Sequence, residues 1–582
     1  MFLTSLPRLL RTTRHLRWSQ VAHRLQRGLK RRLGGGRRAN RVPVGRADVT
    51  DLNQLPDIPP SDLAGGSGDE PVATLRRGEF RHLHQTGHVG HTAPDWRLGP
   101  QDHDRLWAVT LHYHAWAFEL AQAVCRAGAL ATDAERLLVH YLTDWLERCD
   151  ISRPGAEYLA WNPYAIATRL GWWSRAFRLL GKSFFAAHPN LAETLLSSMW
   201  RQAHYLEQNL EWDLRANHLL RDAVGLAWAG RVFRGQVPER WLRTATQVAR
   251  QQAGEQVLPD GGHFERSPHY HLEVMDDWAT LAQLLDDREA MAIAREAWCR
   301  MADYAAWLCH ADGAVPQLND APCRAVQPHL DAGQHLGVPV PAHPHHGGRH
   351  FADSGLSVWH GQPWTVFFDV GEVGPDYQPG HAHADTLTLE TSLAGQRLFI
   401  DPGCYSYDDD ARRRYDRSTA AHNTVCIDEV DSSEVWHIFR VGRRARPQDV
   451  VVDVRRGGLR AAAAHDGYGH LPGHPRHRRS LSVSDACPLE VVDQIDGHGE
   501  HRLSGGFLLA PSWKATAVPG GWRLVGEQRR LAVHVTCDRP VRLELEGRLW
   551  HSDFGVELET QRLAWRYEGR LPFELTVRVE AD

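Results

Sequence analysis

The spacing of apolar residues changes from a helical period to a strand period near residue 350, and this switch constrains the fold more than any other feature. Upstream, Leu106, Val109, Tyr113, Trp116 and Leu120 step by three and four, which keeps them on one helical face. Leu138, Leu142, Trp145 and Cys149 do the same, and Thr132 with Glu135 has the spacing of a capping box at that helix's start. Trp298, Met301, Ala305 and Leu308 give a third such face. Downstream, Leu387 and Leu389 alternate with Thr386, Thr388 and Glu390, and the runs Val541–Leu545 and Phe573–Val579 repeat the alternation. Successive strands without intervening helices predict antiparallel sheets, most simply a sandwich. The chain therefore reads as an α domain over 100–345 followed by a β domain over 350–582, with a cleft between them.

The charge is divided unevenly along this plan. Residues 1–47 hold thirteen Arg or Lys from Arg8 to Arg46 and no Asp or Glu, while the whole chain carries a net charge of −4. The body is therefore acidic. No nucleic-acid partner is expected, and any polyanion must be met by a local basic patch. Apolar positions in the basic segment, Leu6-Pro-Arg-Leu-Leu10 and Leu16-Arg-Trp18, predict a basic amphipathic helix ending at Gly34-Gly-Gly36. Such an arm fits an anionic membrane surface, as a peripheral contact, or the acidic body itself. Arg8, Arg11, Arg14 and Arg17 interrupt every run that the apolar core of a secretory signal requires. No stretch is long and apolar enough to span a bilayer. The expected location is cytoplasmic or peripheral to the inner membrane of a bacterium. Cysteines from Cys125 to Cys537 without a CxxC pair read as buried free thiols. Residues 48–99, rich in Pro, Gly and Asp, read as a linker or an extended wrap.

Three clusters carry chemistry. Asn217 and His218 sit side by side in a helical stretch and can present an amide and an imidazole to one substrate group. In Asp260-Gly-Gly-His263-Phe-Glu265-Arg266-Ser267-Pro268-His269-Tyr270-His271, Ser267 is placed to cap a helix with Pro268 at its first position. Tyr270 then falls in the first turn, at the positive end of the helix dipole. The third cluster is His381-Ala-His383-Ala-Asp385, followed by Asp401-Pro-Gly403 and His422-Asn423-Thr424. On a strand, positions 381, 383 and 385 share a face, and two imidazoles with carboxylates from neighbouring strands suit a divalent metal of the zinc type.

These clusters, with Trp161-Asn-Pro-Tyr164 and in this order from about residue 95 to 580, resemble the heparinase II/III-like polysaccharide lyases, a superfamily of glycosaminoglycan and oligo-alginate lyases. The resemblance implies an incomplete (α/α) toroid followed by an antiparallel β-sandwich. It implies that Asn217 and His218 face the substrate carboxylate, that Tyr270 is the catalytic tyrosine, and that His381 is the histidine from the β domain. It implies one structural divalent metal, zinc before Mn2+ or Ca2+, on His383, Asp401 and His422. Trp161, Asn162 and Tyr164 would line the toroid side of the cleft.

The implied substrate is an anionic uronic-acid polysaccharide, such as hyaluronan, chondroitin, heparan sulfate or alginate. In β-elimination the C5 proton leaves, the C4–O bond breaks, and the product sugar is unsaturated. The proton is weakly acidic beside a charged carboxylate, so preorganised donors must neutralise the developing enolate, the role of Asn217 and His218. Tyr270 serves as general acid and His381 as base; alternatively Tyr270 serves as both, with a basic neighbour such as Arg266, also a candidate substrate contact, tuning it. Arg412, Arg413 and Arg414 either meet polymer charges or form a solvated run. Two further readings stay open. A glycoside hydrolase would use paired carboxylates drawn from Asp213, Glu265 and Asp320, and a non-catalytic exopolysaccharide-binding or assembly protein would use the arm to dock at a membrane. Oligomeric state is not readable.

Overall fold

The computed structural model describes residues 2–32, 48–60, 70–98, 105–126, 128–153, 155–485, 487–527 and 529–581. The helical half is built from Ala115–Cys125, Ala131–Arg148, Pro163–Ala187, Pro189–Gln208, Ala216–Val232, Gln236–Gln256, Pro268–Leu284 and Arg288–Trp307. Most neighbours in sequence pack together, and Ala115–Cys125 with Pro163–Ala187, Pro163–Ala187 with Ala216–Val232 and Ala216–Val232 with Pro268–Leu284 pack as next-but-one pairs, so the layer curls into an incomplete toroid. Its core is unusually indole-rich, with Trp107, Trp145, Trp173, Trp228, Trp278 and Trp298 fully buried. Two helix starts follow directly from sequence. Asn162 accepts from the Tyr164 and Ala165 N–H groups with Pro163 at the first position, and Ser267 caps Tyr270 with Pro268 in the same place.

Two expected helical details differ. The face from Leu106 to Leu120 is not one helix. Helix Arg105–Thr110 and the turn Leu111–Tyr113 end at His114, whose left-handed backbone (φ 68°) starts Ala115–Cys125 on a new axis. His114 is buried and accepts the Trp173 indole N–H at 3.0 Å, which fixes the break. The capping box also fails to form. Helix Ala131–Arg148 begins before Thr132, and Glu135 instead meets His188 at 2.7 Å.

Among the described residues the β half holds three larger antiparallel sheets and a two-stranded one of Val435–Trp436 and Arg440–Val441. A five-stranded sheet (Gly347–Phe351, Leu356–His360, Trp364–Asp369, Leu389–Leu393, Gln396–Arg397) packs on the helices, where Phe351, Leu356, Val358 and Phe367 join the helical core. An eight-stranded sheet runs in the order Pro447–Arg455, Gly458–His465, Arg476–Ser484, Cys487–Asp496, Phe573–Ala581, Arg530–Thr536, Gly521–Val525, Lys514–Val518. It faces a four-stranded sheet of Val425–Ile427, Glu500–Leu508, Val556–Arg570 and Arg542–Asp553 across a common apolar core. Phe573, Leu575, Val577 and Val579 alternate inward as their period demands. The segment 381–388 departs from expectation. It is irregular backbone, with Leu387 at φ 67°, and the strand starts only at Leu389. The buried Asn319 side chain takes the His383 N–H at 2.9 Å, replacing a strand partner.

Residues 48–60 and 70–98 wrap the helical half. Leu52, Leu55, Ile58, Val72, Phe80 and Trp96 are buried in its core, and Asp48–Val49 pairs with Phe233–Arg234. The arm folds as two helices, Phe2–Thr13 and Trp18–Arg32, held to the acidic body by Arg11–Glu434, Arg17–Glu255 and Arg27–Asp213 ion pairs. The expected end at Gly34-Gly-Gly36 lies outside the described residues. Among the described residues no helix is long and apolar enough to cross a membrane, and the described cysteines are free thiols.

Candidate active site

A cavity of about 830 Å3 opens between the two halves. Helix Ala216–Val232 points its N-terminus into it. Arg215 and Ala216 adopt left-handed backbone (φ 62° and 53°), and this sharp entry puts Asn217 and His218 in the first turn, where both line the cavity. The dipole at that end favours an anion, and the Asn217 backbone N–H is already directed at the buried Glu265 carboxyl. The His218 Nδ1 lies 2.9 Å from buried Glu211, which orients the ring, and Tyr164 packs against its face at 4.9 Å.

Helix Pro268–Leu284 brings Tyr270 to the cavity from the same half, and the irregular segment 381–388 brings His381 from the other. Their rings stack, with centroids 3.7 Å apart and planes 24° from parallel. The Tyr270 hydroxyl is 2.7 Å from that of Tyr407. Burial drives the Tyr270 hydroxyl well above the usual phenol range, and the Tyr407 hydrogen bond only partly offsets this. Burial also lowers His381, against the pull of Asp320, so its imidazole is neutral near pH 7.

Asp320 is the hub behind this pair. Fully buried, it accepts from His381 Nδ1 at 3.0 Å, from His383 Nε2 at 2.8 Å, and from both terminal nitrogens of Arg413, one of them at 2.9 Å. Burial would raise its pKa, but the Arg413 charge and these donors hold it well below the ordinary carboxylate range. Because His381 donates through Nδ1, its Nε2 carries the free lone pair.

His383, Asp401 and His422 offer ligand atoms within 4.8 Å of one another, all buried. The His383 Nε2 and His422 Nδ1 protons are spent on Asp320 and Asp401, the latter at 2.7 Å. That leaves lone pairs on His383 Nδ1 and His422 Nε2, buried with no hydrogen-bond partner, and an unpartnered oxygen on nearby Asp385. Two neutral imidazoles with orphan nitrogens, beside the Asp401 carboxylate and the orphan oxygen of Asp385, fit a divalent cation of borderline softness.

Several expected residues lie elsewhere. Asn162 and Tyr164 line the cavity, but Trp161 does not: it is buried in the helical core, its indole N–H on the Cys149 carbonyl at 2.8 Å. Arg266 is also outside the cavity, donating to the Glu372 and Asp353 carbonyls and fastening the two halves together. It is not the tuning cation of Tyr270. In the Arg412–Arg414 run, Arg413 is the buried partner of Asp320, while Arg412 pairs with Glu557 at the surface. None of the three hydrolase candidates lines the cavity. Asp213 holds the arm, Asp320 is saturated, and Glu265 is buried with the Asn217 backbone N–H directed at its carboxyl. Sequence reading missed Tyr407 and the partnership of Arg413, which have no local motif and meet the site only in three dimensions.

Known proteins match this architecture. Residues 79–330 match the family model described as Heparinase II/III N-terminus, and residues 343–579 that described as Heparinase II/III-like, C-terminal. A heparin-sulfate lyase of Bacteroides stercoris is 23% identical over 450 residues, covering 69% of this chain and 64% of that protein. The match thus spans a little under two thirds of that relative's length. FtsZ-localized protein C of Caulobacter vibrioides is 27% identical over 420 residues, covering 69% of this chain and 65% of its own. Among solved structures, heparinase III superposes with a TM-score of 0.71 at 17% identity, over 92% of this chain and 87% of that one. A heparan sulfate lyase mutant from Pedobacter heparinus gives 0.60 at 17%, over 94% and 87%. At such identity the structural likeness is one of fold.

Proposed function

The chain belongs to the heparinase II/III-like family, and from that membership, taken with the geometry of the cleft, we propose that it is a polysaccharide lyase cleaving uronic-acid polymers by β-elimination. The observation that carries the reading is the stacked Tyr270–His381 pair lining one cavity with Asn217 and His218. The substrate carboxylate meets the N-terminus of helix Ala216–Val232, where the Asn217 amide and the His218 ring neutralise the charge that grows as the C5 proton leaves. His381 takes that proton on Nε2, the nitrogen Asp320 does not use. Tyr270 gives its proton to the departing C4 oxygen. Burial keeps the phenol protonated, which suits an acid, and keeps the imidazole neutral, which suits a base.

His383, Asp401 and His422 would hold a structural divalent metal, zinc before Mn2+ or Ca2+. Its chemistry is to cross-link the irregular backbone that carries His381. The substrate class is a glycosaminoglycan, in keeping with the relatives named heparin-sulfate lyase; hyaluronan, chondroitin and alginate belong in the same assay. One observation favours a second reading. A relative of higher identity than the Bacteroides lyase is named for localisation to FtsZ and not for a reaction, which supports the non-catalytic exopolysaccharide-binding or assembly reading.

The test is incubation of the purified protein with heparan sulfate, heparin, chondroitin, hyaluronan and alginate, following ultraviolet absorbance of the unsaturated product. A rise abolished in Tyr270→Phe and His381→Ala supports the lyase. New reducing ends without absorbance indicate a hydrolase, and tight binding without either selects the second reading.

A further inference from the structure

The two arm helices have unlike faces. The inner face is tied to both walls of the cleft. Gln20, fully buried, donates to the Asp213 carbonyl of the helical half at 3.1 Å and to the Tyr377 carbonyl of the β half at 3.2 Å. Arg11 pairs with Glu434, Arg27 with Asp213, and Arg17 lies over the Tyr377 ring at 3.8 Å while reaching Glu255. These contacts fix the arm's orientation relative to the cavity, which Leu9, Thr12, Leu16 and Arg24 help to line.

The outer face is apolar and bare. On helix Trp18–Arg32, Trp18 (88% exposed), Leu25 (70%) and Leu29 (59%) follow one another at i, i+7 and i+11, with exposed Ala22 completing the stripe. On helix Phe2–Thr13, Leu6 (55%) and Leu10 (60%) repeat the pattern at i and i+4. No other large apolar side chain among the described residues is as exposed as Trp18. Around these stripes the charge has one sign. Residues 1–47 contain no Asp or Glu; Arg14 is exposed beside the apolar residues, and Arg8 and Arg24 keep about half of their surface while also reaching Glu434 and Asp213 of the body.

A surface of this kind matches an occupant that is negatively charged at its rim and apolar just beneath. A lipid bilayer with anionic headgroups has that layering: the arginines meet phosphates while the Trp18 and leucine side chains enter the acyl boundary. Helices of 12 and 15 residues are too short to span it and lie in its plane. We propose that the arm docks on an anionic phospholipid surface and thereby holds the cleft at a fixed attitude to the bilayer. This docking does not depend on the lyase reading.

The experiment is co-sedimentation of the full chain with vesicles of phosphatidylcholine, alone or mixed with phosphatidylglycerol, at low and physiological salt. Binding to the mixed vesicles that weakens with salt, and little binding to phosphatidylcholine alone, is the expected result. The triple variant Trp18→Ser, Leu25→Ser, Leu29→Ser should lower the partition coefficient about tenfold or more. Its thermal midpoint should stay at the wild-type value, because these side chains face solvent. Leu6→Ser with Leu10→Ser gives a second variant should the first prove unstable. Wild-type protein that ignores anionic vesicles overturns the proposal, as does equal binding by both variants. A concentration-dependent dimer that the triple variant abolishes, with no vesicle binding, assigns the stripe to a second copy of this chain and also overturns it.

Discussion

The imidazole of His381 lies face to face with the phenol of Tyr270, 3.7 Å between centroids, although the two residues come from different halves of the molecule. Stacking fixes the angle between them, and the Tyr407 hydroxyl fixes the Tyr270 hydroxyl from the far side at 2.7 Å. Removing that hydroxyl in Tyr407→Phe keeps the ring and its packing but deletes the bond that partly offsets burial of the Tyr270 phenol. On the lyase reading, turnover should fall about tenfold or more in Tyr407→Phe, and about a hundredfold or more in Tyr270→Phe. Steady-state rates on the best polymer of the panel, with KM compared, decide this. Equal rates for wild type and Tyr407→Phe would remove Tyr407 from the site.

Asp320 joins His381, His383 and Arg413 without solvent. Asp320→Asn leaves the Arg413 guanidinium buried without its counter-charge, and breaking a buried pair from one side costs about 3–5 kcal/mol. Urea unfolding should show a loss of that size. Asp320→Asn combined with Arg413→Met should recover a substantial part of it, because no lone charge remains buried. A single variant as stable as wild type would contradict the hub.

How much of this was legible beforehand depended on how local each signal was. The Ser267–Pro268 cap that sets Tyr270 in a first turn is written in adjacent residues, and so is the pairing of Asn217 with His218. The change of period separated helices from sheets because burial of one face imposes it along every element. Asp320 and Arg413 are 93 residues apart, and Arg413 sits in a basic run whose composition points equally to solvent. Trp161 and Arg266 were misplaced for the same reason: a motif names a residue but not which way its side chain faces after packing. The break at His114 escaped because periodicity continues across a kink when both pieces bury the same side.

The metal site gives a prediction with a readout independent of turnover. Protein purified without chelator should contain about one equivalent of a divalent metal by elemental analysis, and His383→Ala or His422→Ala should lose it. Chelation should lower the thermal midpoint of the wild type, because binding to the folded state stabilises it by mass action. It should leave the midpoint of the metal-free variants unchanged. Full stability and no metal in the wild type would remove the metal from the account.

Glu265 sets the direction of one pH dependence. It is fully buried beside the site, and burial first, then the nearby charge of Asp320, pushes its carboxyl up to about 8. A carboxyl raised in the folded state binds its proton more tightly there than in the unfolded chain, where it titrates near 4.5. Its contribution to stability is therefore complete below about pH 4.5 and is lost as pH rises through about 8. Across that window the loss is on the order of a few kcal/mol. Glu265→Gln keeps the shape and has no proton to lose, so its unfolding free energy should fall less steeply between pH 5 and 8 than that of the wild type. At pH 8 the variant should be the more stable of the two. Parallel pH slopes for the two proteins would mean that Glu265 is ionised in the fold, with His381, 3.9 Å away, as its counter-charge.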